Sequence, residues 1–229
     1  MNCWPYPIKA VIFDNDGVLL DTLKCYYQAN SEIIGFPYPE YMRNRTNGRT
    51  DVDVCKILID EFNLSYTPEQ LLRRRFSILE RTLPNVEKIE GVMDIVMKIR
   101  EKGIKIAVAT SSRREGHSMK TQNHHDLFSL FDADICGDEV KQAKPSPEIF
   151  LEAAKKLGDF SPENILVFED APLGIKAAND AKMASVLLWT EKRDCGPLLK
   201  ECGCIPSIII PCFKDFNFGD FKWEGVDVE

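Results

Sequence analysis

The sequence predicts an α/β protein: a mostly parallel sheet with helices on both faces, plus an inserted all-helical domain. Three observations predict it. Short apolar runs recur along the chain, and each stops at turn residues. Helical segments with one apolar face alternate with those runs. Residues 22–86 break the rhythm with helices alone.

The first run, residues 8–13 (IKAVIF), reads as a buried strand. Residues 104–109, 133–136, 165–168, 184–188 and 207–210 repeat its character. Between them, residues 92–102 form a helix stopped by Gly103. Pro147 opens a second helix, with Ile149, Phe150, Ala153, Ala154 and Leu157 on one face, and Pro172 opens a third. In the insert, residues 22–34 and 51–62 read as helices. A third begins at Thr67-Pro68-Glu69 and continues to about residue 82. The expected division is a core of residues 1–21 and 87–229 and an insert of residues 22–86. Nine basic and eight acidic residues give the insert +1, so of the net −7 the core carries −8. That distribution suits a cation site in the core.

Composition narrows the function classes. The chain has 229 residues, 44% of them hydrophobic and 28% charged, which is globular rather than disordered. An acidic balance disfavours nucleic acid as a partner. No apolar run reaches the ~18 residues of a membrane span, and the first residues lack a signal core. The expected setting is cytoplasmic, with the protein a monomer or homodimer. Eight scattered cysteines then read as free, packing thiols. The crowded Cys195, Cys202, Cys204 and Cys212 lack the C-x-x-C spacing and neighbouring histidine of a zinc site.

Chemistry in such a fold gathers at the carboxyl ends of the strands. The first strand runs into Asp14-Asn15-Asp16-Gly17, a tetrapeptide that fits a turn as well as a cation site. Later strand ends break the tie. Thr110-Ser111-Ser112 offers hydroxyls, Lys144 precedes a proline-initiated helix, and Glu169-Asp170 is a second acidic pair. Acid pair, hydroxyls, lysine and acid pair in that order predict a phosphoryl-transfer site with its metal.

The segments FDNDGVLLDT, VATSS, AKPSPEIF and VFEDAPLGIKAA resemble the four signature motifs of the haloacid dehalogenase superfamily, and the match spans most of the chain. Within it, VATSS…MKT…H…LFSLF and VFEDAPLGI are most similar to pseudouridine-5′-phosphatases. More distant likenesses are β-phosphoglucomutases and sugar- or glycerol-phosphate phosphatases. The resemblance implies a Rossmann-like core with a helical cap. It implies a Mg²⁺-dependent phosphatase of a small phosphorylated metabolite, acting through an aspartyl phosphate. Asp14 would be the nucleophile. Asp16 would be the general acid and base, with a raised pKa and a backbone carbonyl on the metal. Thr110, Ser111 and Lys144 would hold the phosphoryl oxygens, and Asp170 with Glu169 would complete the Mg²⁺ site with Asp14.

A mutase on the same site would need a second phosphate-binding group, for which Arg49, beside the turn at Gly48, is the candidate. Arg43 and Arg45 read as a solvated face. Arg73, Arg74 and Arg75 read as a solvated helix, and His117, His124 and His125 as surface residues. Trp4, Trp189 and Trp223 read as core or edge packing. A phospho-receiver module places similar groups at strand ends, but the insert and the order of the groups oppose it. No G-x-G-x-x-G follows the first strand to support a dinucleotide enzyme. Against the pattern of the family it resembles, the chain has Lys182 where glycine is frequent, and a left-handed backbone there would strain it mildly.

Overall fold

A computed structural model describes residues 3–224. Six parallel strands form one sheet in the order β3-β2-β1-β4-β5-β6. In chain order these are β1 (Ala10–Phe13), β2 (Lys105–Thr110), β3 (Ala133–Cys136), β4 (Ile165–Glu169), β5 (Ala184–Leu188) and β6 (Ile208–Ile210). β1 lies at the centre, with Phe13 level with Val108 of β2 on one side and Phe168 of β4 on the other.

The two-residue period of each strand divides the core. Val11 and Phe13 face one hydrophobic cluster, which they share with Val92, Ile95, Val96 and Ile99. Ala10 and Ile12 face the other, against Ile149, Phe150, Ala153, Ala177 and Ala178. Both faces are therefore covered, which is why these strands are apolar throughout rather than alternating.

Four helices lie between β1 and the next core helix: α1 (Leu23–Ile34), α2 (Glu40–Thr46), α3 (Asp51–Phe62) and α4 (Pro68–Leu79). They enclose their own cluster, including Ala29, Met42, Cys55, Leu58 and Leu71. The sequence punctuation works as expected. The Thr50 side chain caps α3, and Thr67 and Gln70 form a reciprocal capping box at α4. The short α2, after Pro37 and Pro39, was not expected from the sequence. Six further helices are α5 (Val92–Glu101), α6 (Arg114–Thr121), α7 (His125–Phe128), α8 (Glu148–Leu157), α9 (Pro172–Asp180) and α10 (Gly196–Cys202). Among the described residues, no helix is long and apolar enough to cross a membrane.

Several expectations are corrected. The first strand begins at Ala10, because Ile8 pairs instead with Trp223 near the chain end. Arg75 is not solvated: it is 3% exposed and ion-paired with Asp51, whereas Arg73 and Arg74 are exposed. His117 and His124 are buried, and only His125 is at the surface. The His117 ring reaches Asp134 at 3.4 Å and Asn15 at 3.4 Å, and His124 Nε2 lies 2.8 Å from the Val86 carbonyl oxygen. Both are hydrogen-bonded core histidines. Arg43 is half-buried, its guanidinium 4.8 Å from the centre of the Tyr27 ring. Arg45 is exposed and pairs with Glu61. Lys182 does take the left-handed backbone, at φ 65°. The indoles of Trp4, Trp189 and Trp223 each donate to a backbone carbonyl and are half-buried. All eight cysteines are free thiols, with Cys195 and Cys204 packed among Leu187 and Leu199.

Candidate active site

Because β2, β1 and β4 are neighbours, their carboxyl ends bring Thr110, Asp14 and Glu169 side by side. The Asp14 amide continues the ladder by donating to the Phe168 carbonyl at 2.9 Å. One carboxylate oxygen each from Asp14, Glu169 and Asp170 lies within 4.8 Å of the others. Glu169 is fixed in place by the Asp170 and Ala171 amides, each donating at 2.9 Å.

Lys144 enters this group from the loop before α8. Its ammonium donates to Asp14 Oδ1 and Glu169 Oε1, both at 2.6 Å, and to the Ala109 carbonyl at 3.2 Å. The side chain is 1% exposed, so these acceptors replace water around the charge. One ammonium does not offset three carboxylates. Burial raises the Asp14 pKa to about 7, helped by Glu169 and Asp16 and opposed by Lys144. Burial and the same neighbours also push Asp170 well above the ordinary range. The set wants another positive charge, and all its free donors are hard carboxylate oxygens. That donor chemistry fits Mg²⁺.

Gly17 makes the cluster compact. Its φ of +79° is left-handed, and a Cβ there would come within 2.8 Å of the Asp170 carboxyl carbon.

Asp16 belongs to a separate network. Its carboxylate accepts from Lys120 Nζ at 2.7 and 2.6 Å, Thr22 Oγ1 at 2.6 Å, Ser112 Oγ at 3.1 Å, Tyr26 OH at 3.2 Å and Thr110 Oγ1 at 3.3 Å. This corrects the expectation of a raised pKa. Burial alone would raise it, but Lys120 and the hydroxyl donors outweigh burial and hold the carboxyl at about 2. The Asp16 side chain is also absent from the three converging carboxylates. Thr22, at the start of α1, uses its hydroxyl here and makes no side-chain cap.

A cavity lies between these strand ends and the insert. Asp14, Asp16, Ser111, Asp170 and Arg49 line it, with Tyr26, Asn30, Asp51 and Arg75 on the insert side. Thr110, Lys144 and Glu169 are buried beneath that lining. The turn before α3 meets the core. The Ser111 hydroxyl donates to the Gly48 carbonyl at 3.4 Å, and a Cβ at Gly48 (φ +74°) would stand 2.9 Å from Ala171 Cβ. Arg75 sits deeper, its Nε donating to Asn30 Oδ1 at 3.0 Å and its guanidinium 4.9 Å from the Tyr26 ring centre.

The sequence reading missed Lys120, Tyr26 and the Arg75–Asp51 pair, and it grouped Ser112 with the phosphate-facing hydroxyls, whereas Ser112 Oγ serves Asp16 and Lys120. Lys120 lay within the MKT segment but carried no charge pattern of its own. Its role depends on where the fold sets α6, which brings Lys120 to Asp16, 104 residues away in sequence.

The family model described as haloacid dehalogenase-like hydrolase matches residues 11–188. A (DL)-glycerol-3-phosphatase 2 from Arabidopsis thaliana is 35% identical over 92% of this chain and 95% of its own. A Drosophila melanogaster protein named "Probable pseudouridine-5′-phosphatase" is 33% identical over 79% of this chain and 81% of its own. Among solved structures, β-phosphoglucomutase from Clostridium difficile shares the fold with a TM-score of 0.76 and 23% identity. That match covers 93% of this chain and 94% of the other.

Proposed function

The chain belongs to the haloacid dehalogenase-like hydrolases, and from that premise we propose that it is a Mg²⁺-dependent phosphatase of a small phosphorylated metabolite. The substrate class is an alcohol phosphate of the polyol, sugar or nucleoside type, in keeping with the activities named for its relatives. One observation carries the reading: Asp14, Glu169 and Asp170 converge around a space that Lys144 alone leaves too negative.

In this reading Asp14 attacks phosphorus in line and the alcohol leaves. Water then opens the aspartyl phosphate. A Mg²⁺ held by Asp14, Asp170 and Glu169, with the Asp16 backbone carbonyl, would neutralise charge on the phosphoryl oxygens. Lys144 keeps Asp14 oriented and offsets negative charge as phosphate arrives. Ser111, on the cavity wall, donates to a phosphoryl oxygen, and Thr110 below it supports the strand end. Asp16 takes a proton from the attacking water in the second step, and a general-acid role in the first step requires its protonated form. The ionised form seen here is the one that accepts a proton from water.

The insert excludes bulk water from the cavity and reads the alcohol. A mutase would also need a cation there for a second phosphate. Arg49 lines the cavity, whereas Arg75 is already paired with Asp51. The eight free thiols support a reducing, cytoplasmic setting.

The test is a panel of phosphorylated polyols, sugars and nucleosides, including pseudouridine 5′-phosphate, assayed with and without Mg²⁺. Turnover is expected only with the ion, and Asp14→Asn should lower it roughly 10⁴-fold or more. Retention of a tenth of the wild-type rate in Asp14→Asn would remove Asp14 as the nucleophile.

A further inference from the structure

The site holds two buried lysines, and the reading above uses one. Lys144 serves Asp14 and Glu169. Lys120, on α6, is 0% exposed and hydrogen-bonds to neither. Its ammonium instead grips both oxygens of Asp16, at 2.7 and 2.6 Å, and reaches Ser112 Oγ at 2.7 Å and Tyr26 OH at 3.2 Å.

We propose that Lys120 is the positioning residue of Asp16, holding its carboxylate by both oxygens at a fixed distance from the nucleophile. Three observations carry this. A buried ammonium is costly, and an apolar side chain of similar volume would serve packing better. The other partners of Asp16 are hydroxyls of Thr22, Tyr26, Thr110 and Ser112, which rotate and can donate or accept. Lys120 alone is donor-only and bidentate, so it sets the direction of the carboxylate. It is also absent from the cavity wall, so it acts through Asp16 rather than on substrate. Tyr26, on α1 of the insert, touches both members of the pair and ties their placement to the position of the insert.

The inference rests on the phosphatase reading and concerns one proton. In the second step the oxygen of water bonds to phosphorus, the bond from Asp14 to phosphorus breaks, and the proton of that water goes to the ionised Asp16 carboxylate. A misdirected Asp16 therefore slows hydrolysis of the aspartyl phosphate more than its formation from p-nitrophenyl phosphate, whose phenolate departs without a proton.

The experiment follows p-nitrophenolate release from p-nitrophenyl phosphate by rapid mixing in wild type and Lys120→Met, with Mg²⁺ present, and separates the first turnover from the steady state. The ratio of first-turnover to steady-state rate is expected to rise at least about tenfold in the variant. A smaller rise, or loss of the first turnover together with the steady state, overturns the proposal. If Lys120→Met does not fold, Lys120→Gln takes its place and the same outcomes decide. Failure of both to fold makes Lys120 a structural residue and also overturns it. Wild type that hydrolyses neither p-nitrophenyl phosphate nor any member of the phosphate-ester panel refutes the phosphatase reading itself.

Discussion

A methyl group at Gly17 would overlap the carboxylate of Asp170. The backbone turn that leads away from Asp14 therefore passes so close to the end of β4 that only hydrogen fits between them. Gly17→Ala meets two obstacles, the left-handed φ of +79° and this overlap. Asp170 must shift, and Mg²⁺ affinity should weaken about 10–100-fold. A Mg²⁺ titration of activity measures it, and an unchanged half-saturation would detach Asp170 from the metal.

The acidic cluster also predicts how metal binding depends on pH. The Asp14 pKa in the folded protein, about 7, lies above its ordinary 3.8. Between those values the native state holds a proton that the unfolded chain has lost, so stability falls as pH rises through this window. Mg²⁺ needs the ionised carboxylate and must displace that proton below about pH 7. The rise in Tm on adding Mg²⁺ should be larger near pH 8 than near pH 5.5, and binding in the acidic range should release protons into the buffer. Equal shifts at both pH values would contradict the assignment.

Arg49 separates hydrolysis from phosphate transfer within the substrate. If it serves only the cavity wall, Arg49→Ala should change the hydrolysis of p-nitrophenyl phosphate less than about threefold, the scale of a lost exposed contact. Phosphate release should then need no bisphosphate activator. Dependence on an activator that vanishes in Arg49→Ala would favour the mutase.

The Arg75–Asp51 pair bears on the stability of the insert. Arg75→Met leaves Asp51 without its partner and Asn30 without a donor. Removing one member of a buried pair costs about 3–5 kcal/mol. In a chain of this size that is roughly a 10 °C fall in Tm, readable by calorimetry. A second substitution, Asp51→Leu, should recover part of the loss, since a paired replacement removes the stranded charge.

Legibility divided along physical lines. The strands were readable because burial on both faces makes them apolar throughout, as in β4, whose five residues are all buried. Asp14, Lys144, Glu169 and Asp170 were readable because strand ends hold few charges without a reason. Lys120 and Arg75 were not. Each sits in a charged helix whose exposed side looks the same in sequence, and only the packing of α6 and α4 decides which cation turns inward. His117 and His124 were misplaced for the same reason. Their partners, Asp134 and the Val86 carbonyl, come from other parts of the chain. The pKa of Asp16 went astray because neighbouring acids were visible in the sequence and the distant ammonium was not.

The central strand gives the site a temporal property. Ala10 pairs with Lys105 on one edge and with Ile165 on the other, so the residues around Asp14 are gathered across most of the chain's length. Such long loops must close before the strands can reward them. During synthesis, a nascent chain that has not yet emerged past Asp170 lacks the last of the three carboxylates. It can neither concentrate a divalent ion nor attack a phosphate ester, and the enzyme gains its chemistry only when the sheet is nearly whole.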